Sequence, residues 1–549
     1  MGIKERLSTI DGREVVALAL FSVLLSATVV LGFHIHVDSS QMYSGLMDSH
    51  YIIGYSVIDI VVFLLLAFVF SMVFIIFYAF LKGDASPHEH SSGRRARLDW
   101  VRVTPVSVRY VVIVAAVLFL AWLPYLLAYW PGFVFSDSLV SIDQARGDAP
   151  LSNHHPVIYT LFVKLCLSIG EGLGWGISGG CAVYTVIQMV FMAACIAYMI
   201  CWIVERGGLK RRWLFIIAVP FALSSYMATL SIAMWKDPIF SCALIMLSLL
   251  LFDMVASFGR VQRYGKSWWI AFVAFAAIAL FFRNNGVYVL AAVEVGLTVL
   301  WLRGRNSPAG ARELGRISAV LAMMLVVYAV IVGPIYHSCG IVEEKVESLG
   351  IPLNQMARVA AYDGDMSESD RAYMDTLMSG ESYADVYHPC CVDLLKWDES
   401  FDADALDDVF YEHWFSMLVK NPVIYFEAWE LETYGYWTVN RLEIYSYTGN
   451  ISAGVPWNLN TTADVLSDSY GITADNLFGT PEARSLLPEE GLNIPLGLIN
   501  WAVALLALAH QSYGERRPDW DSVTYLAIAF MAFALYYPHG IIPPTPQKI

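Results

Sequence analysis

The sequence predicts an all-α polytopic membrane protein that also carries an extracytoplasmic, mostly helical and loop-rich domain. Three observations predict it. Of the 549 residues, 57% are hydrophobic and only 15% are charged, against roughly 25% charged in soluble domains. The apolar residues gather in runs of about 20, the length that crosses a bilayer as helix. Acidic and basic residues are sorted into different connecting segments.

Residues 1–108 read as an N-terminal two-helix membrane module with a cytoplasmic linker, its spans at 15–33 and 52–80. The first run follows a charged start and has no small-residue cleavage site, so it is expected to remain as an anchor. The linker holds His88-Glu-His90 among Ser, Gly and Arg. With no further ligand nearby it reads as a solvated connection and not a metal site. Residues 109–335 form the membrane core, with spans at 109–129, 181–204, 213–232, 238–256 and 317–335. Two shorter runs, 268–282 and 287–302, flank Arg283-Asn284-Asn285-Gly286 and read as a helical hairpin with its tip near one surface. An acidic domain follows at 336–493, with helical stretches expected at Gln355–Tyr362, Asp404–Val419 and Val423–Tyr434. Residues 494–549 close the chain with spans at 494–510 and 521–538, bringing the total to about eleven.

Basic residues set the orientation. They cluster before residue 15, after the second span, and in the segments 204–213, 256–268 and 302–317. Those five segments are expected in the cytoplasm together with the N-terminus. Segments 34–51, 130–180, 233–237, 283–286 and 336–493 then face outward. Because residue 130 is outside and residue 206 inside, the apolar stretch Val157–Ile169 is not expected to cross. It reads as a helix lying in the outer interface.

Charge supports the same division. Residues 336–493 hold 28 acidic and 7 basic side chains, a net of −21, while the rest of the chain nets +6. An acidic outer domain on a mildly basic body excludes nucleic acid as a partner, which needs a basic surface. No internal repeat is visible, which argues against a repeat-built secondary transporter. Of the eight cysteines, Cys339, Cys390 and Cys391 fall in the outer domain, where Cys339 could pair with either neighbour in an oxidising compartment. Asn450-Ile-Ser and Asn460-Thr-Thr match the glycosylation sequon, a pattern common by chance.

Four polar clusters fall at the outward ends of the spans. The segment Trp130-Pro-Gly-Phe-Val-Phe-Ser-Asp137 continues through Asp143, Arg146 and Asp148 to His154-His155-Pro156. Trp235-Lys236-Asp237-Pro238 makes a very short turn, and Arg283-Asn284 sits at the hairpin tip. Ile351-Pro-Leu-Asn-Gln355-Met-Ala-Arg358 opens the outer domain, with Gln355 and Arg358 on one helical face. Taken singly, Lys236 and Arg283 fit interfacial anchors, Asp237 fits a local ion pair with Lys236 or a helix cap before Pro238, and His155-Pro156 fits a helix start. Taken together, they offer a general base, cations to neutralise a phosphate or pyrophosphate leaving group, and histidines to orient substrate.

At these residues the chain resembles the GT-C superfamily of integral-membrane glycosyltransferases, and a bacterial family of uncharacterised multi-pass proteins grouped with it. Those enzymes place an essential Asp in the first large outer loop, as Asp137 stands here, with a His-Pro element like His155-Pro156 beyond it. The resemblance covers roughly 109–360. It departs in two respects: Asp137 is followed by Ser where many relatives have a second acid, and an extra helix pair precedes the core. It implies a GT-C-like core and transfer of a sugar, usually with inversion, from a polyprenyl-phosphate donor. The acceptor would be a cell-envelope glycan, lipid or protein at the outer face of a bacterial plasma membrane. Asp137 and Asp237 would be catalytic. Asp143, His154, His155, Lys236, Arg283, Asn284, Gln355 and Arg358 would bind substrate. The cofactor stays open: a divalent cation, if used, is expected at Asp137, Asp237 and His155. The alternatives are a transporter or flippase of lipid-linked glycans, which needs polar or broken-helix sites near the midplane, and an envelope polysaccharide polymerase or ligase.

Overall fold

The computed structural model describes residues 12–37, 50–83, 106–134, 136–206, 210–256, 265–304, 308–342, 349–389, 391–396 and 398–438, and the single positions 5, 7, 8, 10 and 346. The expected spans 494–510 and 521–538, the linker histidines, Cys390 and both sequons lie outside the described residues.

The N-terminal module is a pair of packed helices, α1 (Gly12–His34) and α2 (Val57–Gly83). Both are apolar on nearly every side, which suits lipid and not water. Their few polar groups are satisfied internally: Ser22 and Ser26 return their hydroxyls to carbonyls one turn back, and Tyr78 donates to the buried Glu14 at 2.9 Å. The loop between them carries an antiparallel pair, β1 (Ile35–Val37) and β2 (His50–Ile52), with Ile35 opposite Ile52.

The core begins with α3 (Val108–Ala128). Its 21 residues span about 31 Å at 1.5 Å per residue, the thickness of the hydrocarbon layer. The chain then passes through β3 (Phe133–Val134), α4 (Ser136–Arg146) and α5 (Val157–Gly172) to the long α6 (Gly176–Arg206). At the start of α3 the Ser107 amide donates to Glu205 at 3.0 Å, and the Arg211 guanidinium lies 4.8 Å from the Tyr110 ring centre. Glu205 and Arg211 therefore lie at one end of α3 and the polar segment after residue 130 at the other.

The run 213–232 differs from expectation. It forms two helices, α7 (Arg212–Leu223) and α8 (Ser225–Ile232), and not one span. Pro220 lies inside α7, and Ser224 restarts the helix by accepting the Met227 amide on its hydroxyl, a side-chain cap at the new first turn. The chain then enters β4 (Ala233–Met234), α9 (Lys236–Ala256), α10 (Gly265–Phe281), α11 (Gly286–Gly304) and α12 (Pro308–Val330). A π-helical turn at Ile331–Ile335, containing Pro334, carries α12 on towards Ser338. Such a turn accommodates a residue that has no amide proton to give.

Six helices are long and apolar enough to cross a membrane among the described residues: Glu14–His34, Val57–Ala79, Val108–Ala128, Gly176–Glu205, Lys236–Met254 and Glu313–Ser338. Arg212–Leu223, Gly265–Phe281 and Gly286–Leu302 are shorter apolar helices. Helix α5 has one buried side, with Tyr159, Val163, Cys166, Leu167 and Gly170, while the apolar Leu161, Leu165 and Ile169 are exposed. It folds back on the first turns of α6, with Gly170 against Gly180 and Phe162 against the Tyr184 ring.

The acidic domain has its own apolar core, built on α13 (Gly350–Ala361), α14 (Glu368–Leu377), α15 (Phe410–Lys420) and α16 (Pro422–Trp437). Helix α14 was not expected; Ser367 and Asp370 form a reciprocal capping box at its start. The stretch expected as helix from Asp404 begins only at Phe410, because Asp402 and Asp407 accept main-chain amides two residues on and hold turns before it. Cys339 and Cys391 are both free thiols, so they do not pair with each other.

Candidate functional site at one end of the helical core

The site is built on a parallel strand pair that the sequence did not reveal. Phe133 lies opposite Ala233 and Val134 opposite Met234. The close approach requires Gly132, whose φ of +114° favours glycine, and where a Cβ would collide with the Ile232 carbonyl and the Thr185 side chain. Helix α6 holds the second strand in place. Gln188 donates to the carbonyls of Leu230 at 3.0 Å, Ser231 at 3.4 Å and Ala233, and Tyr184 donates to that of Trp235 at 2.9 Å. From the other side the Ser138 hydroxyl donates to the Met234 carbonyl.

Beyond the strands both chains turn into helices, and three predicted residues meet. Lys236 Nζ donates to Asp137 Oδ2 at 2.8 Å and to His155 Nδ1 at 2.9 Å. Trp235 Nε1 reaches the same carboxylate oxygen at 3.4 Å. His155 is 2% exposed, and the His154 ring packs edge-on against it at 4.4 Å. Pro156, next in sequence, is the N-cap of α5, so the His-Pro pair both starts a helix and furnishes the site.

Burial alone would raise the Asp137 carboxyl, but the Lys236 ammonium, by its charge and its hydrogen bond, holds it well below the ordinary carboxylate range. Burial lowers the His155 imidazole well below its usual value, and the adjacent Lys236 charge lowers it further. His155 is therefore neutral. An ammonium can only donate, so Nδ1 accepts and the ring proton sits on Nε2. That Nε2 is buried and has no hydrogen-bond partner among the described residues.

The hairpin tip adds the next layer. Arg283 donates to Asp237 in a pair that is buried on both sides. Asn284 Nδ2 donates to the Asn153 carbonyl at 2.9 Å, just before the two histidines. Gly286 starts α11 where any side chain would run into the Ala279 carbonyl of α10. Segment 151–153 is tied in turn to the entrance of the acidic domain: Asn153 donates to the Val342 carbonyl at 2.8 Å and Val342 to that of Leu151 at 3.1 Å. Segments 130–180, 233–237, 283–286 and the start of 336–493, all expected on one side, are thus joined around this site.

Other predicted residues lie elsewhere. Asp143 sits on α4, six residues and hence a different helical face from Asp137, and its carbonyl accepts the amides of Gly147, Asp148 and Ala149. Asp148 pairs with Arg146 at 2.6 Å on the surface. Gln355 and Arg358 belong to the core of the acidic domain. Gln355 bonds the Tyr425 carbonyl at 3.2 Å and Trp414 Nε1 at 2.9 Å, while Arg358 pairs with Glu427 at 2.8 Å and covers the Tyr362 ring at 4.3 Å. The structure does not join them to the Asp137 cluster, because these internal partners engage the Gln355 amide and the two terminal nitrogens of Arg358. Gln188 and Tyr184 are the residues that sequence reasoning missed. A lone amide inside an apolar run is costly unless bonded, and that signal could have found Gln188.

The donor set does not fit a divalent cation. Asp137 and Asp237 each give an oxygen to a cationic side chain, and no three His, Cys, Asp or Glu side chains gather as ligands among the described residues.

Fold and site define a helical membrane protein with a polar cluster at one end of its core. A profile for a family of unknown function, DUF6020, matches residues 145–455. That is more than half of the chain, and the protein belongs to this family. The matched segment contains His155, Lys236, Asp237 and Arg283 and begins shortly after Asp137. No curated protein and no solved structure matches the chain.

Proposed function

We propose that the protein is a membrane glycosyltransferase that moves a sugar from a polyprenyl-phosphate donor to a cell-envelope acceptor at the outer face of a bacterial plasma membrane. One observation carries the reading: Lys236 bonds Asp137 and His155 at once, with the Asp237–Arg283 pair on the neighbouring residue. This brings two carboxylates, a neutral imidazole and two cations to one end of the helices.

The chemistry follows from the pairing. In the resting site Lys236 weakens Asp137 as a base. A donor phosphate would draw the ammonium away, returning basicity to the carboxylate as the substrate arrives. The acceptor hydroxyl attacks the anomeric carbon while Asp137 takes its proton, and the sugar–phosphate bond breaks. Lys236 and Arg283 then neutralise the departing phosphate. His155 Nε2–H supplies a further donor to donor phosphate or acceptor. Lipid-borne substrate reaches such a site laterally, at the bilayer surface.

Purified full-length protein in nanodiscs, given a polyprenyl-phosphate sugar and candidate acceptors, is expected to transfer the sugar. Asp137→Asn is expected to lower the rate by about 10²–10⁴, the usual contribution of a positioned base. Full activity of Asp137→Asn sinks this assignment. The broken run at Ser224 favours the transport alternative; movement of an intact lipid-linked glycan across proteoliposomes, without transfer, would establish it instead.

A further inference from the structure

Helix α16 is the last helix of the acidic domain among the described residues, and it is fixed to the loop of the N-terminal helix pair. Its Leu431 and Tyr434 are buried with Ile35, and Ile52 and Trp437 pack around them. Glu430 accepts the Tyr55 hydroxyl at 3.0 and 2.8 Å. Ile35 is the first residue after α1, and Tyr55 lies two residues before α2. Both positions are where apolar spans emerge from hydrocarbon, so these contacts set α16 at the depth of the bilayer surface.

At that depth its free face is apolar. Among the described residues of α16, the exposed positions are Pro422, Val423, Phe426 and Trp429. Val423, Phe426 and Trp429 follow at intervals of three and share one side of the helix. Phe426 stacks on Trp429 at 5.6 Å and Trp429 on Trp437 at 5.8 Å, a row of rings that leads to the Ile35 contact. The three acids of this helix are engaged elsewhere, Glu427 with Arg358, Glu430 with Tyr55 and Glu432 with Asn354. The helix pair exposes Phe33, Tyr51, Ile53 and Tyr55 at the same level. Aromatic side chains concentrate where a membrane meets water, and a helix facing water in so acidic a domain would carry charge on its free side.

We propose that α16 is an interfacial helix whose Val423–Phe426–Trp429 face rests in the boundary between headgroups and acyl chains. The acidic domain is thereby docked on the lipid surface beside α1 and α2. The proposal does not depend on the glycosyltransferase reading.

Nitroxide labels at Val423→Cys and Phe426→Cys test it in full-length protein in phosphatidylcholine–phosphatidylglycerol nanodiscs. Cys339 and Cys390 are replaced by Ser, and Glu381→Cys serves as the water-facing control. Collisions with oxygen, which concentrates in lipid, are compared with those of a water-soluble nickel chelate. Oxygen is expected to exceed nickel at 423 and 426, with the reverse at 381. Nickel predominating at 423 and 426 overturns the proposal, because the face is then in water. Protection from both reagents also overturns it, because another part of the chain or a second protein then covers the face. The Val423 label leaves the aromatic row intact, so a disturbed Phe426→Cys variant does not spoil the test.

Discussion

Asp137 and Asp237 stand at the same register beyond the parallel strand pair, each the third residue after the last paired position and each in the first turn of a helix. Parallel strands leave their pairing side by side, so both carboxylates emerge at one end of the core. The first turn of a helix favours an acid, but two acids so related would repel. Each has its own cation: Lys236, from the second strand's continuation, serves Asp137, and Arg283, from the hairpin tip, serves Asp237. The crossing of partners locks three loops, distant in sequence, into one unit.

Lys236→Met should reverse the pH response of the site. In the native protein the Asp137 carboxyl is held low, so its contribution to stability is full above about pH 4, the unfolded value, and is lost only as pH falls further. Without the ammonium, burial dominates and raises the carboxyl. Stability is then greatest at low pH and lost as pH rises through the new value. The gap in thermal midpoint between native protein and Lys236→Met, measured in detergent, is expected to narrow from pH 8 to pH 5. A constant gap would show that Lys236 does not govern Asp137.

The Asp237–Arg283 pair separates folding from chemistry. Arg283→Met leaves a buried carboxylate without its partner, which costs about 3–5 kcal/mol. The double variant Asp237→Leu, Arg283→Met removes both charges and should recover most of the thermal midpoint. Sugar transfer should stay absent in both variants. Recovery of transfer in the double variant would make the pair structural only.

Much of this arrangement was readable in the residues. Trp-Lys-Asp and Arg-Asn-Asn-Gly named themselves because charged residues in turns of a few residues, between apolar runs, have to meet something polar. Charge sorting grouped the loops, and the contacts of Asn284 with Asn153 and of Asn153 with Val342 join segments so grouped. The strand pair was not readable. Two residues per strand give no alternation to detect, and what selects them is a close approach at Gly132 visible only in three dimensions. Gln355 and Arg358 misled for a related reason: helical spacing gives a shared face, but not whether that face meets a substrate or Trp414 and Glu427. The run 213–232 has span length, and its break depends on a Ser224 cap that hydropathy does not register.

Gln188 is expected to act as a positioning residue. Its amide donates to three carbonyls of the segment that delivers Lys236, and Gln188→Leu would strand them in an apolar setting at a cost of about 1–3 kcal/mol. The distinguishing readout is kinetic. If the clamp sets the place of Lys236, the variant raises KM for the phosphate-bearing donor more than for the acceptor. Equal changes for both substrates would mark Gln188 as a packing residue only.

The contact between Glu430 and Tyr55 should loosen as pH rises. Burial pushes the Glu430 carboxyl up to about 7, and nearby Glu427 adds to this against the Tyr55 hydrogen bond. For an acid raised on folding, the stabilising contribution is full below the unfolded value of about 4.3. It is lost as pH climbs through the folded value near neutrality. The groups facing it are His34, which bonds Asp59 at 3.1 Å, together with Tyr55, Glu427 and Arg358. A cysteine pair at Ile52 and Leu431, either side of the buried cluster, reports the distance by its rate of disulfide trapping. Corrected for thiolate fraction with an exposed reference cysteine, trapping should be slower at pH 8 than at pH 6. Glu430→Gln, uncharged throughout, should abolish most of that difference. An unchanged difference in Glu430→Gln would remove Glu430 as the source of the pH dependence.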